Sequence, residues 1–87
     1  MKIVYHKTFR KHFKERVVSQ KKLQSRFYQR LNLLIKNPNS PVLRKHQLKG
    51  KKKVYWSFSV TGDIRVIYKM EKSILFLYDI GTHEQVY

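Results

Sequence analysis

The stretch YWSFSVTGDIRVIYK, residues 55–69, decides the fold of this 87-residue chain. Apolar and mostly polar side chains alternate in both of its halves, and this period of two is typical of strands with one buried face. The TGD at its centre (61–63) is a turn signal, so the stretch predicts a β-hairpin. The face expected to pack against the core carries Trp56, Phe58, Ile64, Val66 and Tyr68. The opposite face, where we expect a ligand to bind, carries Tyr55, Ser57, Ser59, Arg65 and Ile67.

The flanking segments predict two further strands. After the hairpin, MEKS (70–73) predicts a second turn, which leads into the largely apolar run 74–80. Three strands joined by short turns form an antiparallel meander. Residues 2–5 predict a short strand that can join the same sheet.

Two basic helices are predicted between the first strand and the hairpin. An apolar residue recurs every four positions from Phe9 to Val17, which indicates one stripe of a helix over about residues 7–18. Ser19 is the expected N-cap of a second helix, which ends at NPNSP (37–41) because proline disfavours helix. The order β-α-α-β-β-β predicts a single small α+β domain over 1–87, with a helical hairpin packed on an antiparallel sheet.

Composition limits the class of protein further. The chain has no cysteine, so it offers neither a disulfide nor a thiolate. It has no run of about 18 apolar residues to span a bilayer, and its first residues contain no apolar stretch of signal-peptide length. We therefore expect a soluble, cytoplasmic protein with no membrane partner.

The charge distribution indicates a polyanionic partner. The net charge is +15, and residues 1–53 hold 17 basic and 1 acidic side chains, whereas residues 54–87 hold 3 and 4. A domain this basic commonly binds nucleic acid, because each neutralised phosphate releases counterions. The charge alone also fits a highly soluble protein that binds nucleic acid without specificity, and it indicates no chemistry.

Four features hold the residue types of a metal-free RNA endonuclease: RKHQLKG (44–50), the lysines at 51–53, Arg65 and the terminal GTHEQVY (81–87). RNA supplies its own nucleophile, the 2′-hydroxyl, so such an enzyme needs a base, an acid and fixed positive charge. Histidine suits proton transfer near neutral pH.

Each of these residues also has a structural explanation. The two histidines could be solvated or bonded to backbone, Arg65 could pair with Asp63 or Asp79, and Tyr87 could close a sheet edge. No zinc site is expected, because the chain has no cysteine and no histidine pair with ligand spacing. The residues alone therefore predict a basic α+β domain and are compatible with RNA binding, but they predict no more than this.

The sequence resembles the RelE/ParE superfamily of bacterial toxin–antitoxin systems, and most of all its YafQ-like branch. The resemblance covers nearly the whole chain and is sharpest at KHQLKG (45–50), at residues 55–69 and at IGTHEQVY (80–87). It implies a RelE-like fold and a ribosome-dependent mRNA endoribonuclease that needs no metal or other cofactor. The implied partners are mRNA in the ribosomal A site, ribosomal RNA and a cognate antitoxin.

The resemblance also implies roles for individual residues. His46 and His83 match catalytic histidines, and which of them is the acid stays open. Tyr87 matches an aromatic residue that orients the RNA, Asp63 matches a functional acidic residue, and Arg65 falls where RelE and YoeB relatives keep an arginine for the scissile phosphate.

RNA contacts are expected from the basic segment and from the second sheet face. The expected residues are Arg44, Lys45, Lys49, Lys51, Lys52, Lys53, Tyr55, Ser57 and Ser59. Ser59 stands where the YafQ-like branch has a further histidine, and Ile64 stands where a relative has tryptophan. Two alternatives stay open: a ParE-like inhibitor of DNA gyrase, and a non-catalytic module that binds RNA or the ribosome.

Overall fold

The computed structural model describes residues 1–87, which form three helices packed on a five-stranded sheet. The strands are β1 (Lys2–Tyr5), β2 (His46–Gln47), β3 (Trp56–Ser59), β4 (Ile64–Glu71) and β5 (Ile74–Thr82). The helices are α1 (Lys7–Arg16), α2 (Lys21–Lys36) and the short α3 (His83–Val86), with 3₁₀ turns at Pro41–Leu43 and Gly50–Lys52. The predicted α+β fold with a helical hairpin is confirmed. No helix is long and apolar enough to cross a membrane.

The sheet order is β1-β5-β4-β3-β2, and one of its pairings differs from the prediction. β2, β3, β4 and β5 pair antiparallel, but β1 pairs parallel with β5. The reason is the path of the chain: after β1 the two helices carry it to the far edge of the sheet. The meander then returns strand by strand, and β5 arrives beside β1 in the same direction.

The two helices pack their aromatic stripes against each other and the sheet. The Phe27 ring centroid lies 5.7 Å from that of Phe9 and 5.1 Å from that of Phe13. The predicted cap at Ser19 is wrong by one position, because Gln20 occupies the N-cap and its side chain makes no capping bond. Gln20 Nε2 instead donates to the carbonyl of Arg16, which closes the end of α1.

The main core lies between the helices and one face of the sheet. The residues that the sheet and the end of β3 contribute to its centre are fully buried: Phe58, Val60, Val66, Leu75, Leu77 and Ile80. Trp56, predicted on this face, is an exception with 37% exposure. It lies next to the sheet edge that is formed by the two-residue strand β2. The Lys45 ammonium lies 5.8 Å from the Trp56 ring centroid.

A β-bulge in β5 sets which of its side chains reach the core. Ile67 pairs with Asp79 and Tyr68 pairs with Leu77, so Tyr78 is left without a partner in the ladder. An extra residue shifts the alternation of a strand by one. Leu77 and Ile80 therefore both lie in the core, although they are three positions apart.

The second face of the sheet is covered by the C-terminal helix. Thr82 and Gln85 form a reciprocal capping box, which fixes the first turn of α3 against β5. Val86 then packs with Leu48 and Ile67 in a small second cluster. This face is therefore partly closed, and the chain end that it holds is Tyr87.

Candidate active site

Three neighbouring strands and the chain end bring four of the predicted site residues together. His46 of β2 lies directly opposite Ser57 of β3, so their side chains share the second face of the sheet. Arg65 comes from the adjacent strand β4, opposite Ser59. Tyr87, which directly follows α3, lies over the same part of this sheet face. Residues far apart in sequence thus converge through strand register and one short helix.

The Arg65 guanidinium is the centre of a hydrogen-bond network. Its Nε donates to the Ser57 hydroxyl at 3.1 Å and to the Tyr87 hydroxyl at 2.9 Å. Its Nη2 donates to Ser57 at 2.9 Å, to the carbonyl of Arg44 at 2.8 Å and to His46 Nδ1 at 3.3 Å. The Tyr87 hydroxyl donates to Ser57 Oγ at 2.5 Å. The side chain is therefore held in one orientation without any carboxylate partner.

The same network selects one tautomer of His46. A guanidinium only donates, so a hydrogen bond from Arg65 Nη2 to His46 Nδ1 requires the neutral ring to carry its proton on Nε2. Nε2 is 3.0 Å from the Tyr87 hydroxyl, which accepts that proton. Burial lowers the pKa of His46 from its ordinary 6.5; the positive charge of Arg65 lowers it further, the Arg44 backbone bond raises it, and His83 adds a smaller lowering. His46 is therefore the neutral imidazole of the site at pH 7.

A pocket of about 290 Å³ opens beside this network. His46, His83 and Tyr87 line it, together with Lys49 and Lys52. His83 is exposed, and its ring meets Tyr87 edge-on at a centroid distance of 4.2 Å. Two imidazoles, a phenol and two ammonium groups thus face one cavity, next to a fixed guanidinium. This set can carry protons and bind an anionic group.

Several of the other predicted RNA contacts lie elsewhere. Lys51 and Lys53 are exposed on the adjoining loop, and Tyr55 packs in the second cluster. Lys45 lies over Trp56, toward the side of the sheet that the helices cover. Arg44 contributes its backbone carbonyl to the network, and its φ of 47° marks a left-handed turn there.

The expectation that Ser57 and Ser59 are open to RNA is wrong, because both are buried. Ser57 is the shared acceptor beneath Arg65 and Tyr87. Ser59 donates to the carbonyl of Thr61 in the hairpin turn at 2.5 Å. The pattern of alternation gave their face correctly, but it did not reveal that α3 and the network cover it.

Asp63 is not brought to the other predicted catalytic residues. It lies in the exposed β3–β4 turn, where its backbone N–H donates to the Thr61 hydroxyl. That turn borders a separate surface depression, formed with Lys22 and Arg26 of α2. A catalytic role for Asp63 stays a prediction, without support from its position.

Asp79 is engaged in a structural ion pair, but not with Arg65. Its carboxylate lies 2.6 Å from His12 Nδ1 and 3.6 Å from Arg16 Nη1, so it joins β5 to α1. Arg16 also donates to the carbonyl of Ile80. Arg65 is thereby left with neutral partners only. No group of three or more histidine, cysteine or acidic side chains could hold a metal ion.

Solved structures that share this fold include bacterial toxins. YafQ from E. coli strain BL21(DE3) has a TM-score of 0.80 and 28% identity, over 98% of this chain and 96% of that one. YafQ in the E. coli DinJ-YafQ complex has a TM-score of 0.78 and 28% identity, over 98% and 96%. The YoeB/ParE toxin from Agrobacterium tumefaciens shares the fold at 19% identity and a TM-score of 0.82, over 95% and 99%.

The fold and these neighbours define a toxin of the RelE/ParE superfamily. The family model described as the bacterial toxin of a type II toxin-antitoxin system, YafQ, matches residues 1–87. The chain belongs to the YafQ toxin family, and the resemblance inferred from the sequence is confirmed. A comparison with curated protein sequences gives no significant match.

Proposed function

We propose that this toxin is a metal-independent endoribonuclease that cuts mRNA in the ribosomal A site and so stops translation. The observation that carries the proposal is the oriented guanidinium of Arg65 beside a pocket with two histidines. Fixed positive charge aimed at a phosphate stabilises the charge that develops there during transfer. The net charge of +15 supports a partner rich in phosphates, such as ribosomal RNA.

In the proposed reaction the 2′-hydroxyl of the RNA attacks the adjacent phosphorus. The O2′–P bond forms, the P–O5′ bond breaks, and the 2′-proton passes to a base on the protein. An acid on the protein protonates the departing 5′-oxygen. The products are a 2′,3′-cyclic phosphate, or the 3′-phosphate after its hydrolysis, and a 5′-hydroxyl. Arg65 and Lys52 stabilise the five-coordinate phosphorus between them.

We assign the base to His46 and the acid to His83. Because its pKa is lowered, His46 is neutral at pH 7 and has a lone pair on Nδ1. A bound phosphate oxygen replaces His46 as acceptor from Arg65 Nη2, the longest of the contacts of that nitrogen, and so frees the lone pair for the 2′-hydroxyl. The His83 side chain lines the same pocket and has no hydrogen-bond partner in the protein, so its imidazole is free to protonate the 5′-oxygen.

We also propose that the toxin is held inactive by a cognate antitoxin in the cytoplasm. The support is the similarity to YafQ in solved DinJ-YafQ toxin-antitoxin complexes, at 28% identity over nearly the whole chain. A toxin with this excess of positive charge suits a partner with acidic side chains.

Primer extension on an mRNA in a reconstituted translation reaction tests the proposal. Wild type is expected to cut inside the A-site codon only when ribosomes are present, and His83→Ala to lose about 10²–10⁴-fold in rate. Glu84→Ala is the matched control, because Glu84 is the exposed neighbour of His83 in α3 and makes no bond to the pocket.

The other outcomes separate the alternatives. Cutting without ribosomes would retain the nuclease and remove the ribosome from its mechanism. An intact message with gyrase inhibited in a supercoiling assay would contradict the nuclease in favour of a ParE-like activity. Arrested translation with an intact message and no effect of His46→Ala or His83→Ala would indicate a binding role alone.

A further inference from the structure

A second groove lies on the same sheet face as the catalytic pocket and has no role in the proposed reaction. Its volume is about 210 Å³, and it runs from α3 and β4 toward the first turn of α1. Leu48 and Lys52 line both this groove and the catalytic pocket, so the two depressions are adjacent on the surface. A chain bound in the pocket can therefore continue into the groove without leaving the surface.

Aromatic rings form the wall of this groove. Tyr55 and Tyr78 meet edge-on with centroids 4.8 Å apart, and the His6 ring is tilted against Tyr78 at 5.2 Å. The bulge in β5 explains why Tyr78 is on this face. Both tyrosines are half-buried and His6 is exposed, so parts of all three rings border the open groove. Such rings are the surfaces on which unpaired bases stack.

One charged side chain of the groove, Lys52, is free to hold a phosphate. Lys52 is exposed at the junction with the catalytic pocket and has no acidic partner. Lys69 lies 5.9 Å from the Tyr78 ring centroid but is paired with Glu71. The carboxylate of Asp79 also borders the groove, and it is engaged with His12 Nδ1 at 2.6 Å and Arg16 Nη1 at 3.6 Å.

His6 adds a donor of fixed orientation. Its Nδ1 accepts the backbone N–H of Thr8 at 3.2 Å as the N-cap of α1, so in the neutral ring the proton is on Nε2. No protein group accepts from that nitrogen. It is thus available to a base edge or a phosphate oxygen in the groove.

We propose that this groove is a second nucleotide subsite, which takes the base next to the scissile nucleotide in single-stranded RNA. Lys52 holds the RNA backbone at the junction of the two depressions, and the added base stacks on Tyr55 and Tyr78. This assignment rests on the proposed function, because the proposed function identifies the pocket that holds the scissile phosphate. It adds a contact outside the reacting atoms, by which neighbouring sequence affects affinity.

A binding assay with RNA that cannot be cut tests this subsite independently of catalysis. Short fluorescent RNA oligonucleotides with a 2′-O-methyl group at each position, which blocks the attacking hydroxyl, are extended by one nucleotide at either end, and anisotropy gives each Kd. One of the two extensions is expected to tighten binding to wild type by about tenfold. An abasic residue at the added position should abolish that gain, and this comparison requires no change in the protein.

Protein variants then locate the subsite. Tyr55→Leu is expected to lose most of the gain and Tyr55→Phe, which keeps the ring, to retain it. Lys52→Gln should reduce the slope of log K against log salt by about 0.7. Lys72→Gln, in the β4–β5 turn and outside both depressions, should leave the slope unchanged.

The opposite results would overturn the subsite. They are an equal gain in wild type and Tyr55→Leu, an unchanged gain with the abasic oligonucleotide, or no gain from either extension. Each leaves the primer-extension result intact, so the subsite can fail while the nuclease stands. Conversely, a toxin that cuts no message can still show the binding gain.

Discussion

The two faces of the sheet differ in what holds them together. On one face, 13 buried residues form an apolar core with the helices. On the other, only Leu48, Ile67 and Val86 are buried apolar residues, and a polar network occupies the neighbouring space. Burying a large apolar side chain stabilises a fold by about 1.5–3 kcal/mol, so the first face supplies most of the stability. The second face is left free to carry polar groups.

The polar face carries these groups without unpaired atoms. No buried side-chain nitrogen or oxygen lacks a hydrogen-bond partner. Ser57, although fully buried, accepts from Arg65 and Tyr87 and so satisfies both. The site therefore consists of side chains that bond to one another on one face of the sheet. The opposite face provides most of the stability of the fold. Substitutions on the two faces should therefore affect different measurements.

The largest expected effect is that of Arg65→Gln on cleavage. We expect a loss of about 10²–10³ in single-turnover rate on programmed ribosomes, because the phosphate loses its oriented donors. Arg65→Lys should recover little of this loss, since one ammonium cannot hold Ser57, Tyr87 and the Arg44 carbonyl together.

In contrast to its effect on cleavage, Arg65→Gln should have little effect on the stability of the fold. Ser57 and Tyr87 still bond to each other in the variant, so a melting temperature within a few degrees of wild type is expected by calorimetry. Unfolding of Arg65→Gln at room temperature would show instead that the two faces are not energetically separate.

Gly81→Ala should affect both faces. A Cβ at Gly81 would lie 2.6 Å from Arg16 Nη1 and from Gln85 Oε1, which are bonded to the Ile80 carbonyl and the Thr82 N–H. We expect a loss of about 1–2 kcal/mol in the free energy of unfolding by urea titration, similar to that of losing a cap. Cleavage should fall as well, because α3 carries the chain end to Arg65.

Gly62→Ala is the matched control for this substitution. A Cβ at Gly62 meets no atom within 4 Å, and its φ lies outside the left-handed region. Its stability should equal or slightly exceed that of wild type. Equal destabilisation by the two alanines would refute the close approach of α3 to β5 as the cause.

The pKa of His46 provides a smaller and more specific effect. Folding lowers the pKa of His46 below its ordinary 6.5. At pH values between the lowered pKa and 6.5, the unfolded chain therefore binds the proton and the folded chain does not. The contribution of His46 to stability is therefore present above pH 6.5 and is lost as the pH falls through the folded value. Imidazole NMR should place this titration below 6.5, and Arg65→Gln should raise it. A wild-type titration above 6.5 would contradict the proposed base.

The smallest effect is expected at Asp63. Because the turn places it against α2 and away from Arg65, Asp63→Asn should change the cleavage rate by less than about twofold, measured in the same single-turnover assay. A loss as large as that of Arg65→Gln would show that the β3–β4 turn joins the site when RNA is bound.

Much of the fold could be predicted from the sequence, because periodicity reports which side chains are buried. The alternation at 55–69 gave the hairpin, and the stripe from Phe9 to Val17 gave the first helix. The parallel pairing of β1 could not be predicted this way, since a short strand carries no signal for its neighbour. The strand β2 has only two residues and is too short to show any period.

The site was predictable in composition but not in its internal arrangement. Residue types and family resemblance pointed to His46, His83, Arg65 and Tyr87, and the structure brings these four together. The role of Ser57 as buried acceptor depends on α3 folding back over β4, which no local pattern records. The separation of Asp63 from Arg65, only two positions away, likewise depends on where the turn ends and β4 begins.

One measurement tests the central claim most directly: cleavage of a ribosome-bound message with a single 2′-deoxy residue at the cut nucleotide. The account predicts that the all-ribose message is cut and leaves a 2′,3′-cyclic or 3′-phosphate and a 5′-hydroxyl, and that the deoxy message stays intact. Cutting of the deoxy message, or a 5′-phosphate on the product, would contradict attack by the 2′-hydroxyl and with it the roles assigned to His46, His83 and Arg65.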